Sequence, residues 1–148
     1  MTLIDANLLL YAFDVSSTHH RTARGWLETT LSQPESVALS WATILAFLRI
    51  STTPRLLQRP LAIANAAAVV SQWLTRPNVS VLNPGDRHWE ILGRFLIQGQ
   101  THGPLVTDAH LGALAVEHGA TLATVDRDFA RFPGLRFFNP LLSDPGNR

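Results

Sequence analysis

The chain has 148 residues, 46% of them hydrophobic and 16% charged, with a formal net charge of +1. That size and composition fit one domain with a core of its own and exclude a disordered chain. The near-neutral balance makes no strong electrostatic demand on partners, and the absence of cysteine excludes disulfides, thiolate nucleophiles and cysteine-held metals.

All twelve basic residues are arginine. Arginine suits bidentate contacts to phosphate, so the absence of lysine is compatible with a nucleic-acid substrate. Codon bias in a GC-rich genome explains the same fact more simply. No basic leader precedes an apolar signal core, since Asp5 interrupts the first residues. The longest apolar run is far short of the ~18 residues that span a membrane. Together with the missing cysteines, this gives the expectation of a soluble, cytoplasmic protein.

Leu3-Ile4 reads as a short buried strand that delivers Asp5 to the point where the chain turns into a helix. Leu8 to Phe13 is apolar on all sides, as in a helix buried between layers. Asp14 to Thr18 is a polar loop. A helix over His19–Ser32 then carries Ala23, Trp26, Leu27 and Leu31 on one stripe, and Pro34 ends it. Ser36 to Leu39 is β-like. Ser40 caps a helix from Trp41 to about Ile50, whose core face would be Ile44, Leu45, Phe47 and Leu48. After a loop bearing Arg55 and Arg59, Pro60 is placed at or near the first turn of a helix running to about Thr75.

Asn78 to Leu82 is a third strand, followed by the turn Asn83-Pro84-Gly85. Asp86 is the expected N-cap of a helix over His88–Ile97. Gln98 to Pro104 is a Gly/Pro-rich loop. Val106-Thr107 reads as the end of an apolar, β-branched run, and Asp108 opens a helix in which Leu111, Leu114, Ala115 and His118 recur at i, i+3, i+4, i+7. Gly119 stands just past its end. Thr121 to Val125 is the clearest strand, Asp128 to Phe132 a helical turn, and Arg136-Phe137-Phe138 an edge strand. Residues 143–148 read as a flexible tail, leaving residues 1–142 as one domain. Strands alternating with helices and no tight hairpin predict an α/β/α sandwich around a short, mostly parallel sheet.

Four aspartates then stand at the expected carboxyl ends of strands, where open α/β sheets gather their functional groups. Singly, Asp5 and Asp108 are explained as helix caps, and Asp126 and Asp128 as turn and cap residues. Jointly they read better as one site, and capping does not exclude that. Converging carboxylates repel one another unless a cation sits among them. An all-oxygen set suits a hard ion, magnesium or manganese rather than zinc. Such an ion activates water and stabilises charge on phosphoryl oxygens, the chemistry of metal-dependent nucleases.

Leu3-Ile4-Asp5-Ala6-Asn7, Val106-Thr107-Asp108-Ala109-His110-Leu111 and Thr124-Val125-Asp126-Arg127-Asp128-Phe129 resemble the motifs of PIN-domain ribonucleases. The Trp41-to-Arg49 helix, the turn Thr53-Pro54-Arg55 and the ending Phe129-Ala130-Arg131-Phe132-Pro133-Gly134-Leu135 resemble the VapC toxin branch, in its mycobacterial form. The resemblance implies that Asp5, Asp108 and Asp126 bind magnesium, with Asp128 a more variable fourth acid. It implies that Asn7 and Thr124 orient those carboxylates. It also implies a homodimer, a VapB-like antitoxin that binds DNA, and a structured substrate such as transfer or ribosomal RNA.

One departure stands out. The family has a glutamate on the helix after the second strand where this chain has Ala46, which bears on whether one or two metals bind. Arg49, one turn on, either approaches the acidic pocket or a phosphate, or is simply solvated. His110 reads as a surface or interlayer histidine rather than a general base. The tryptophans Trp26, Trp41, Trp73 and Trp89 read as core or interface anchors. A magnesium-dependent endoribonuclease toxin is the expectation. An RNA-binding module with weakened catalysis is the alternative, and a phosphotransfer domain built on an aspartate nucleophile ranks last because it wants a lysine.

Overall fold

In the computed structural model, which describes residues 1–142, Leu3 and Ile4 send their side chains to opposite faces of one sheet and both are fully buried. The same alternation separates Val37 and Leu39 from Ala38, and Ala123 from Leu122. A parallel strand covered on both faces is a continuous apolar run, which is why so few residues suffice to make one. Residues 143–148, the expected tail, lie outside the described residues.

The chain runs β1 (Thr2–Ile4), α1 (Ala6–Phe13), α2 (His20–Ser32), β2 (Val37–Leu39), α3 (Trp41–Ser51), α4 (Ile63–Leu74), β3 (Val79–Val81), α5 (His88–Gln98), α6 (Leu105–His118) and β4 (Thr121–Ala123). A short 3-10 helix, Arg127–Arg131, and β5 (Phe137–Phe138) follow. The five strands lie in the order β3-β2-β1-β4-β5 and every pairing is parallel. β5 is an edge strand, as expected.

Helices α1 to α4 cover one face, where Leu8, Leu9, Leu27, Ile44, Phe47 and Trp73 pack on Ile4 and Leu39. Phe13, Phe47 and Trp73 meet there with ring centroids 4.8 to 5.8 Å apart. Helices α5 and α6 cover the other face, with Ile91, Phe95 and Leu114 packed on Leu3 and Leu122. The result is the α/β/α sandwich that the alternation of elements implies. Strands β2 and β3 extend the sheet to one side of β1, and the chain then returns to lay β4 on the other side. The order therefore reverses between β1 and β4, the place where open α/β sheets bind ligands.

Several boundaries differ from expectation. Helix α4 begins at Ile63, leaving Pro60 in an irregular stretch that returns to α3 through buried Leu57 and a bond from Leu61 N to Ser51 O. Asp86 does not cap α5. Instead Glu117 of α6 holds the turn that precedes α5, its Oε1 accepting from Gly85 N at 2.7 Å and its Oε2 from Arg87 N at 2.9 Å. Val106 and Thr107 end no strand: α6 starts at Leu105, behind Pro104, whose restricted φ suits a helix start. Asp108 thus lies within the first turn of α6 rather than opening it.

Leu45, expected on the core face of α3, is 60% exposed, and in α1 only Leu8, Leu9 and Ala12 are fully buried. Of the tryptophans, Trp73 is buried, Trp26 half-buried, and Trp41 and Trp89 exposed. Gly119 takes the left-handed conformation that ends α6, with φ of 68°.

Candidate functional site

β1 ends at Ile4, and the next residue, Asp5, caps α1 by accepting from Ala6 N through Oδ1 at 2.7 Å. Its other oxygen is what reaches across the sheet. Asp5 Oδ2 accepts from Thr124 Oγ1 at 2.8 Å and from Asn7 Nδ2 at 3.3 Å. Thr124 follows β4 directly, so the β1–β4 pairing sets this contact. The threonine hydroxyl spends its one proton on Asp5 and accepts from Asn7 Nδ2 at 3.3 Å and from Asp126 N at 3.0 Å. Asp126 in turn caps the 3-10 helix, its Oδ1 accepting from Asp128 N at 2.8 Å. Asp5, Asn7, Thr124, Asp126 and Asp128 therefore form one connected string.

Asp108 faces this string from the first turn of α6. With Asp5 it lines a cavity of about 170 Å³, completed by Ala6, Ala42, Thr43, Ala46, Thr107 and Leu111. A larger groove of about 360 Å³ runs between α2 and α4 beside Phe13, Leu27 and Trp73, but it holds none of these aspartates. Chemistry, not size, identifies the smaller cavity as the candidate site.

The electrostatics agree. Burial holds the Asp5 carboxyl above its usual range, and Asp126 adds to this, while the bonds from Thr124 and Ala6 oppose it. Asp108 is pushed up to about 6, first by burial, then by the charges of Asp5, Asp126 and Asp128, with Arg131 opposing. That arginine is itself tied down. Its Nη1 donates to Gly99 O at 2.9 Å and its Nε to Asp128 O at 3.2 Å.

Among the described residues no three acidic or histidine side chains form a ready-made metal cage. The donor chemistry nonetheless fits a hard cation. The available groups are carboxylate, amide and hydroxyl oxygens. Asn7 Oδ1 is buried beside Asp5 without a donor, and Asp108 is crowded by like charge, so a cation among them relieves both defects.

His110 is the interlayer histidine that the sequence implies, and Arg49 also stands outside the cavity. His110 is not among the residues lining the cavity, and its Nδ1 meets Nε2 of buried His88 at 3.0 Å between α6 and α5. Burial and His88 together lower its pKa. Arg49 is exposed near the end of α3. Sequence reasoning passed over Thr43, Thr107 and Arg131. Thr43 had a signal, since it stands three residues before Ala46 on the same helix face.

The PIN domain family profile matches residues 2–135. The chain is 44% identical to ribonuclease VapC37 of Mycobacterium tuberculosis over 140 residues, covering 95% of this chain and 97% of that protein. It is 39% identical to ribonuclease VapC33 of the same species over 141 residues, covering 95% and 99%. Among solved structures, VapBC2 from Rickettsia felis bound to a DNA fragment from its promoter superposes with a TM-score of 0.66 at 18% identity, covering 93% and 97%. That last likeness concerns the fold alone. With the profile spanning nearly all of the described chain and such relatives matched end to end, this protein belongs to the PIN-domain family, among the VapC ribonucleases.

Proposed function

We propose that this chain is a magnesium- or manganese-dependent endoribonuclease, the toxin of a toxin–antitoxin pair. One observation carries the chemistry: Asp5 and Asp126 are joined through Thr124 at the β1–β4 reversal, with Asp108 across a small cavity. Asp5, Asp108 and Asp126 would hold the metal, with Asp128 in support. A bound divalent ion supplies Lewis-acid stabilisation of phosphoryl charge and a more acidic water.

The chain's own residues do the positioning. Thr124 and Asn7 lock the Asp5 carboxylate in one orientation, and the cap at Asp128 N does the same for Asp126. Water attacks a backbone phosphodiester in line as a carboxylate oxygen of the cluster takes its proton; the opposite P–O bond breaks, and the leaving ribose oxygen takes a proton from solvent. A structured transfer or ribosomal RNA is the substrate this reading expects, and a cytoplasmic location goes with it. Among the described residues no helix is long and apolar enough to cross a membrane.

The relatives' names support the ribonuclease reading, and the VapBC2 complex supports an antitoxin partner that binds DNA. The apolar side chains exposed on α3 and α5, Trp41, Leu45, Trp89 and Ile97, favour a homodimer.

A second reading rests on Ala46, which lines the cavity where the family carries an acid: an RNA-binding module with weakened catalysis. Wild type and Asp5→Asn are compared for RNA cleavage with magnesium and with a chelator. Fragments from wild type alone, and only with metal, support the nuclease. RNA retained without fragments supports the binder, and undiminished cleavage by Asp5→Asn removes that residue from the site.

A further inference from the structure

We propose that the cavity binds a single divalent cation, because α3 presents a neutral wall where a second ion would need a carboxylate. The inference rests on the metal-dependent reading above and specifies its stoichiometry. Helix α3 contains no aspartate or glutamate along its whole length, Trp41–Ser51. It nevertheless forms one side of the cavity, through Ala42, Thr43 and Ala46, facing Asp5 and Asp108.

The only polar side chain on that wall is a neutral hydroxyl held by the helix cap. Thr43 is buried, its Oγ1 accepts from Ser40 Oγ at 3.0 Å, and its amide donates to the same Ser40 oxygen at 3.1 Å. The helix cap thus holds the hydroxyl in place and leaves it neutral. No other acid of the cluster replaces the missing charge. Asp126 and Asp128 reach Asp5 through Thr124, so their charge adds to the Asp5–Asp108 side and leaves the α3 wall neutral.

Charge balance decides between one ion and two. Two-metal sites hold their ions about 3.5–4 Å apart. At equal separation two dications repel four times as strongly as two unit charges. Such sites therefore need carboxylates on both flanks, and here one flank offers methyl groups and one hydroxyl. A single dication held by Asp5 and Asp108 with Asp126 beside them meets the negative charge, all of which lies on the side away from α3. The room beside Ala46 is then left to water or substrate.

The test counts ions on the intact, metal-free chain. Mn²⁺ alone is titrated by calorimetry and by electron paramagnetic resonance, for wild type, Asp108→Asn and Ala46→Glu. One ion per wild-type chain, lost in Asp108→Asn, is expected. Ala46→Glu should take up a second ion and show the spectrum of a spin-coupled pair. Two ions of similar affinity on wild type would overturn the inference and leave the nuclease reading intact. No saturable binding would also overturn it, as would a folded Ala46→Glu that still binds one ion. Should Ala46→Glu fail to fold, the wild-type count decides alone. Cleavage by wild type that persists undiminished in a chelator is the separate result that would sink the metal-dependent reading itself.

Discussion

The hydroxyl of Thr124 donates to Asp5 Oδ2 at 2.8 Å, joining two residues 119 positions apart. Thr124 is fully buried, and all three hydrogen-bonding positions of its oxygen are used. Thr124→Val keeps the shape but takes one bond from Asp5 Oδ2 and one from the Asn7 amide, and leaves the Asp126 N–H without its partner. A loss of about 1–3 kcal/mol is expected in denaturant unfolding, with cleavage falling at least about tenfold. Thr124→Ser should recover most of both.

The raised pKa of Asp108 makes a statement about pH. It ionises at about 6 in the folded chain against an ordinary 3.8, so between those values the folded state holds a proton the unfolded state has lost. Without metal, the charge penalty at this residue is full above pH 6 and fades as pH falls toward 3.8. Asp5 acts in the same direction. In a chelator, Asp108→Asn should therefore melt above wild type at about pH 7.5, with a gain that vanishes near about pH 4. A gain that stays constant with pH would mean that relieved charge is not its cause.

Leu45 offers a test of the dimer without touching the site. It is 60% exposed and lies one turn from Trp41, itself 52% exposed. Leu45→Glu should convert a dimer to a monomer in analytical ultracentrifugation, while monomer stability changes by no more than about 0.5 kcal/mol. A wild-type chain that sediments as a monomer in the absence of antitoxin would remove the dimer from the reading.

Gly99 is fixed by close approach rather than by its backbone angle. A Cβ there would lie 2.6 Å from Phe95 O and 2.9 Å from the Phe132 ring. The carbonyl cannot move without breaking the end of α5. Gly99→Ala should cost about 1–3 kcal/mol in thermal or denaturant unfolding. It should also lower cleavage, because Arg131 holds the Asp128 turn through Gly99 O.

Much of this was legible in the sequence, for identifiable reasons. Asp5 and Asp126 each follow a buried apolar strand, so their placement at strand ends could be read directly. Asp108 was singled out through an incorrect local picture. Val106 and Thr107 are β-branched and look strand-like, yet they lie in the first turn of α6, where Pro104 and packing override propensity. The long-range pieces could not be read. Glu117 holds the Gly85–Arg87 turn before α5 from another helix, and Arg131 reaches Gly99 O across 32 positions. No local pattern encodes either contact. Leu45 was assigned to the core because apolar periodicity marks a covered face without saying whether the cover is the same chain.

The order of strands in the sheet also sets a schedule for synthesis. The central strand, β1, is made long before its neighbour β4 and the residues Thr124 and Asp126. Until then the nascent chain carries Asp5 with no Thr124 to orient it, and the contact between them must close nearly the whole chain into a loop. The centre can assemble only after β4 and Thr124 have been made, so a chain halted before them carries Asp5 without its orienting partner.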